Sequence, residues 1–136
     1  MPIFEKIINR EIPAYIVYED DLVIAFLDIL QSTKGHTLVV PKKKYVDIFD
    51  IDEDVLAHLI KVTKKLAIKI KDVFDAKGVN LVNNNGKAAF QSVFHYHMHI
   101  IPRYENDNFD ISFENNTKNM TDEEYKKRAA LIKAAL

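Results

Sequence analysis

Apolar positions in this chain recur with two different periods, and the changes of period predict where helices give way to strands. Ile3, Phe4, Ile7 and Ile8 fall at helical spacing, so a short amphipathic helix opens the chain. It ends before Pro13, whose ring disfavours helical geometry in the residue ahead of it. Two β-rich runs follow, Ala14 to Glu19 and Leu22 to Leu27, and Asp20-Asp21 between them reads as a hairpin turn. Thr37 to Val40 is a third strand, closed by Pro41. The longest helical pattern begins near Asp50, where Glu53 would complete a capping box. Its apolar face is Val55, Leu56, Leu59, Ile60, Val62, Leu66, Ile70, Val73 and Phe74; His58, Lys61 and Lys65 fall opposite, which makes His58 a surface residue.

After Gly78 a fourth strand runs from Val79 to Asn83, and a loop follows from Asn84 to Ala89. A fifth strand passes through His95, His97 and His99 to Ile101 and is ended by Pro102. Tyr104 to Asn119 is polar and acidic, and a last helix spans about Thr121 to Ala134, with Thr121 and Glu124 as a second capping box. Strands that are neighbours in sequence, with few helical crossovers, predict an α+β fold: a mainly antiparallel sheet with helices packed against it.

Composition narrows the classes. The 136 residues contain no linker, repeat or low-complexity tract, so the expectation is one domain over residues 1–136, with a core at about 3–104 and a tail and helix at 105–136. Apolar residues make up 48% and charged residues 29%, a globular composition, and no apolar run could span a bilayer. The segment Met1 to Lys6 lacks the pattern of a secretory signal, and there are no cysteines for disulfides or thiolate metal sites. The expected location is the cytoplasm, with no membrane partner. A net charge of −1 gives no field for capturing nucleic acid, and Lys42-Lys43-Lys44 reads as a solvated strand edge.

The chemistry concentrates in His95-Tyr96-His97-Met98-His99. On a strand, alternate side chains share a face, so the three imidazoles would line one side and Tyr96, Met98 and Ile100 the other. Three readings of that row compete. It is a polar row on a solvated face, or a zinc chelate completed by carboxylates or a further histidine. Or it is a nucleophilic site, in which neutral imidazole attacks phosphorus while a neighbour fixes its tautomer.

The run from Gln91 to Arg103 resembles the histidine-triad signature, His-x-His-x-His followed by two apolar residues. Phe4 to Pro13 is similar to that family's opening helix, and Phe26 to Ile29 and Gly35 to Lys43 resemble its two middle signatures, in order. The resemblance covers about residues 3 to 104 in four blocks and favours the nucleophilic reading. It implies the histidine-triad fold: a five-stranded sheet with a long central helix, a short N-terminal helix and a C-terminal helix. It also implies a purine nucleotide substrate, no cofactor, no metal, and a two-fold homodimer. Residue by residue, it makes His97 the nucleophile and His95 the residue that orients it through its backbone. His99 and His36 become phosphate-contacting imidazoles, and Ser92 serves the leaving group. Gln91 and Asn84 would contact phosphate and leaving group, Asp28 both ribose hydroxyls, and Phe4, Ile7, Leu27 and Ile29 the base. Asp28 as a turn cap, Asn84 as a hairpin corner, and Phe4 and Ile7 as plain core remain open on local grounds.

Two departures from the resemblance stand out. Where many bacterial relatives hold zinc ligands this chain has Pro2, Glu5 and Tyr45, and where some have glycine before the glutamine it has Phe90. The implied activity is release of AMP or GMP from a phosphoramidate through a nucleotidyl-histidine. Dinucleoside polyphosphate hydrolysis, non-catalytic nucleotide binding or scaffolding, and metal binding are the alternatives.

Overall fold

A computed structural model describes residues 3–136; Pro2, one of the three positions compared with zinc ligands, lies outside the described residues. The elements in chain order are α1 (Ile3–Ile8), β1 (Ile16–Glu19), β2 (Val23–Leu27), β3 (Thr37–Pro41), α2 (Glu53–Val73), β4 (Gly78–Val82), β5 (Met98–Arg103) and α3 (Asp122–Ala135). The five strands form one sheet in the order β1-β2-β3-β5-β4, and every adjacent pair is antiparallel. This is the α+β architecture expected.

The sheet is covered on both faces, and the alternation along each strand decides what goes where. Val23, Ala25, Val39, Tyr96, Met98 and Ile100 join Leu59, Val62 and Leu66 of α2 in one core. Ile24, Phe26, Leu38 and Val40 turn the other way and pack with Phe4 and Ile7 of α1. Because both faces are buried, β2 and β3 read as continuous apolar runs rather than as alternating ones.

Several boundaries differ from the sequence expectation. The N-cap of α2 is Asp52, whose carboxylate accepts the Asp54 and Val55 N–H groups at 3.1 Å. Asp50 instead accepts the Val46 N–H at 2.7 Å in the preceding loop, and Glu53 is the first helical residue, so no capping box forms. Burial of Ile51 in the α2 core draws the chain inward just before the cap and moves the start two residues on. The apolar face of α2 is also narrower than expected: Ile60 and Val73 are exposed. His58 stays at the surface, but its Nε2 lies 2.6 Å from an Asp20 carboxylate oxygen and ties α2 to the β1–β2 turn. At α3, Thr121 caps the Glu124 N–H at 3.1 Å, while the Glu124 carboxylate turns to Arg128 rather than back to the cap.

The fifth strand carries the main correction. β5 begins at Met98, so His95 and His97 precede it, and it continues through Pro102 to Arg103. Pro102 is tolerated because the pairing of β5 with β3 stops at Ile100, leaving only β4 alongside.

Candidate functional site

Segment 95–97 stays out of the ladder because groups outside the β3 and β4 pairing have taken over its backbone: side chains hold two of its carbonyls, and a loop carbonyl holds one N–H. The His95 carbonyl accepts from His97 Nδ1 at 2.8 Å, and the His97 carbonyl accepts from Asn83 Nδ2 at 3.0 Å. The Tyr96 N–H donates to the Tyr45 carbonyl at 2.6 Å, and His95 Nε2 donates to the Pro41 carbonyl at 2.8 Å. The alternation nevertheless survives. Tyr96 and Met98 enter the α2 core, while His95 and His97 meet Phe4 edge-on, with ring centroids 5.8 and 5.0 Å from it.

These partners fix the tautomers. Since His97 Nδ1 faces a carbonyl, it must carry the proton, and the Nε2 lone pair is left free. A second chain of bonds works in the opposite sense. The Ser32 N–H donates to His36 Nδ1 at 3.3 Å, so the His36 proton sits on Nε2. That nitrogen is 2.9 Å from His99 Nδ1, which therefore accepts and leaves His99 with an Nε2–H donor. The sheet register explains the meeting: His99 pairs across from Leu38, and His36 lies two residues before Leu38 on the same face. The result is one lone pair and one N–H donor from neighbouring rings, whose centroids are 5.0 Å apart.

Burial favours the neutral form of all four imidazoles. It is the leading cause of the lowered pKa of His95, His97 and His36, opposed in His97 by the His95 carbonyl and in His36 by Asp28. His99 falls to about 4, through burial and then the neighbouring His97 and His36. Neutral imidazole is the form that attacks phosphorus.

The histidines open onto a cleft of about 450 Å³. Of the sequence-derived residues, Phe4, Ile7, Leu27, Asp28, Ile29, Asn84, Ser92, His97 and His99 line it. His36 stands behind His99, and His95 lies beneath as a fully buried support. Gln91 does not line the cleft. It is buried, its Oε1 accepts the Gly86 N–H at 2.8 Å, and its Nε2 donates to the Val46 and Val93 carbonyls at 2.7 and 3.1 Å, so it braces the loop. Asp28 divides its labour: one oxygen caps the turn through the Leu30 N–H at 2.8 Å, while the other lies 3.6 Å from His36 Nε2. Both the structural and the functional assignment of Asp28 thus have an oxygen available. Arg103, at the end of the triad run, binds Asp107, Asn80 and the Phe109 carbonyl rather than facing the cleft.

Sequence reasoning missed the residues that hold the histidines in place. Asn83, which grips the His97 carbonyl, was hidden in the run Asn83-Asn84-Asn85; Asn85 in turn donates to Asn83 Oδ1 at 2.7 Å. Gln31 closes the 28–36 loop by donating to the Asp28 and His36 carbonyls and accepting from the Gly35 N–H. Tyr15, Phe26 and Leu38 also line the cleft, together with Phe90, which the sequence already marks as a departure from the family pattern.

The metal reading changes its form. His95 and His97 each commit a ring nitrogen to a backbone carbonyl, and the row does not converge on one point. Among the described residues, the group able to present three ligand atoms within 4.8 Å of one another is Asp28, His36 and His99.

Comparisons with known proteins bear on the fold and the family. The sequence model of the HIT domain matches residues 9–106. An uncharacterized HIT-like protein of Methanocaldococcus jannaschii is 54% identical over 114 residues, 83% of this chain and 87% of that protein. The crystal structure of a HIT family member from Bacillus subtilis superposes with a TM-score of 0.94 at 43% identity, covering 99% of this chain and 96% of its own. A hypothetical histidine triad nucleotide-binding protein of Sulfolobus tokodaii gives 0.74 at 43% identity, over 91% and 84%. The chain belongs to the HIT domain family.

Proposed function

We propose that this chain is a nucleotide-binding hydrolase that releases AMP or GMP from a phosphoramidate through a covalent intermediate on His97. The observation that carries this reading is the His97 Nδ1–His95 carbonyl bond of 2.8 Å, which aims an Nε2 lone pair into the cleft beside the His99 donor. In the first step Nε2 attacks phosphorus and the P–N bond to the leaving amine breaks. Its electron pair goes to the amine nitrogen, which takes a proton through the Ser92 hydroxyl. His99 Nε2–H donates to a phosphoryl oxygen as charge develops there. In the second step water attacks phosphorus, the P–Nε2 bond breaks with its electron pair returning to the imidazole, and the proton that water sheds replaces the one passed through Ser92 to the amine. The Nδ1–H bond to His95 persists throughout, so the intermediate carries a cationic imidazole, a good leaving group. Asp28 would accept the ribose hydroxyls, and Phe4, Ile7, Leu27 and Ile29 would enclose the base. No lysine or arginine is among the residues lining the cleft, so the phosphate is met by neutral donors.

A dinucleoside polyphosphate would be cleaved by the same attack with a phosphate oxygen as leaving atom. Quenched-flow mass spectrometry on adenosine 5′-phosphoramidate tests the chemistry. A nucleotidyl adduct on His97 that forms and decays at the rate of turnover is expected; binding without turnover or adduct would favour a non-catalytic nucleotide-binding or scaffold role.

We also propose that the protein is a cytoplasmic homodimer. No helix of the described residues is long and apolar enough to cross a membrane. The dimer is supported by unpartnered apolar surface: Ile60, Ile68 and Val73 on α2, Leu81 on the edge strand β4, and an α3 in which no residue is buried. A 14-residue helix without packing is marginal in water. The sheet edges are β1 and β4, and β5 lies inside the sheet between β3 and β4.

A further inference from the structure

Phe90 is an aromatic side chain that the fold does not use. It has φ 69 and ψ 20, in the left-handed region that a residue with a Cβ avoids. The conformation is imposed from both sides. The Ala89 and Gln91 N–H groups both donate to the Gly86 carbonyl, the Phe90 N–H donates to the Lys87 carbonyl, and the buried Gln91 amide clamps Gly86 and the Val46 and Val93 carbonyls. Within this hydrogen-bonded turn Phe90 is 87% exposed and absent from both apolar cores, so it adds nothing to either core. It does line the cleft, two residues from Ser92 and with Asn84 alongside in the same lining.

We propose that Phe90 is a specificity-determining residue whose ring stacks on a planar aromatic leaving group held at the mouth of the cleft. This rests on the proposed function, and it names the class of substrate that the site prefers. Of the residues proposed to enclose the base, Phe4 and Ile7 belong to the buried cluster under α1, which Phe90 does not join. A leaving group that departs past Ser92 therefore meets an exposed, pre-positioned π-face. Stacking favours a flat ring over a saturated ring of equal size, because the ring quadrupole adds to the area buried. The leaving groups that fit are aryl-bearing amines and the second nucleoside of a dinucleoside polyphosphate. A plain alkyl amine gains nothing from the ring beyond hydrophobic contact.

The test compares two adenosine 5′-phosphoramidates that differ only in the leaving amine, 2-phenylethylamine against 2-cyclohexylethylamine. These are close in size and basicity. The expected kcat/KM ratio is about threefold to tenfold in favour of the phenyl compound, the range for aromatic pairing beyond area burial. In Phe90→Leu the ratio should fall to near one, and in Phe90→Tyr it should persist. Thermal unfolding of each variant checks that the turn has survived. A wild-type ratio near one, or a ratio unchanged in a folded Phe90→Leu, overturns the assignment while leaving the hydrolase reading intact. Failure of the wild-type protein to turn over unsubstituted adenosine 5′-phosphoramidate overturns both.

Discussion

At the scale of single residues, the proposed function depends on which nitrogen of each imidazole holds its proton. His97 exposes a lone pair only because the His95 carbonyl holds Nδ1–H. Replacing His97 with alanine should lower phosphoramidate turnover by about 10⁴-fold or more, the scale for losing a covalent nucleophile, with AMP affinity largely kept. A variant that retains a tenth of the wild-type rate would rule the residue out. Burial lowers the pKa of His97, so the neutral form that the proposed attack requires persists below the ordinary imidazole range. The acid limb of kcat/KM should accordingly fall below the ordinary imidazole value of 6.5, and a limb above 6.5 would contradict it. Asp28→Asn keeps an oxygen for the Leu30 N–H cap and removes the charge, which separates the two roles of that side chain. AMP binding should weaken by roughly one to two powers of ten, as for losing charge-assisted hydrogen bonds. Calorimetry with the 2′,3′-dideoxy analogue should show poor binding and no further loss; an equal loss for both ligands would make Asp28 a cap alone.

At the scale of elements, the site depends on two irregular segments, 28–36 and 95–97, each held by side-chain bonds as well as by backbone ones, and only the second was expected to be strand. The first contains Gly35 at φ 95, where an added Cβ would lie 2.7 Å from the Phe74 ring and 3.3 Å from Pro102. Gly35→Ala thus combines a disfavoured backbone with overpacking, and should destabilise the protein by about 1–3 kcal/mol in urea unfolding. A variant as stable as the wild type would show that the loop repacks freely. The second segment was legible only in part. The alternation of histidines with Tyr96, Met98 and Ile100 correctly assigned the faces. The strand boundary was not readable, because it depends on Asn83 and Tyr45 capturing backbone groups that a ladder would otherwise use.

At the scale of the whole molecule, four imidazoles with lowered pKa values couple folding to pH. In the unfolded chain they take protons near 6.5, whereas His99 in the folded chain does so only near 4. Between those values the unfolded state binds more protons, so stability is full above about 6.5 and falls as pH drops toward 4. Melting temperatures measured from pH 7.5 to 4.5 should decline across that window, and a flat profile would show that the imidazoles are not held neutral. Assembly is tested at the same scale. Sedimentation at micromolar concentration should give a mass near twice the 15.7 kDa chain, and truncation after Met120 should weaken the association. A monomer at all concentrations would leave the exposed apolar stripes of α2 and α3 unexplained.

The sequence by itself determined what depends on local order along the chain. Period-two and helical spacing gave the α+β architecture, and the alternation at 95–100 put the histidines on one face; the four blocks resembling the histidine-triad family picked out His36 and Asp28 as well. The tertiary structure decided what depends on partners far away in sequence. His36 and His99 are 63 residues apart and His95 and the Pro41 carbonyl 54. No spacing rule relates them, and they meet only because the register pairs Leu38 with His99. The same holds for Gln91, a plausible ligand by its place in the triad run and a buried brace once Gly86, Val46 and Val93 surround it. A local pattern specifies which face a side chain takes. Its proton, its hydrogen bonds and its access to a ligand are fixed by whatever the rest of the chain brings to that face.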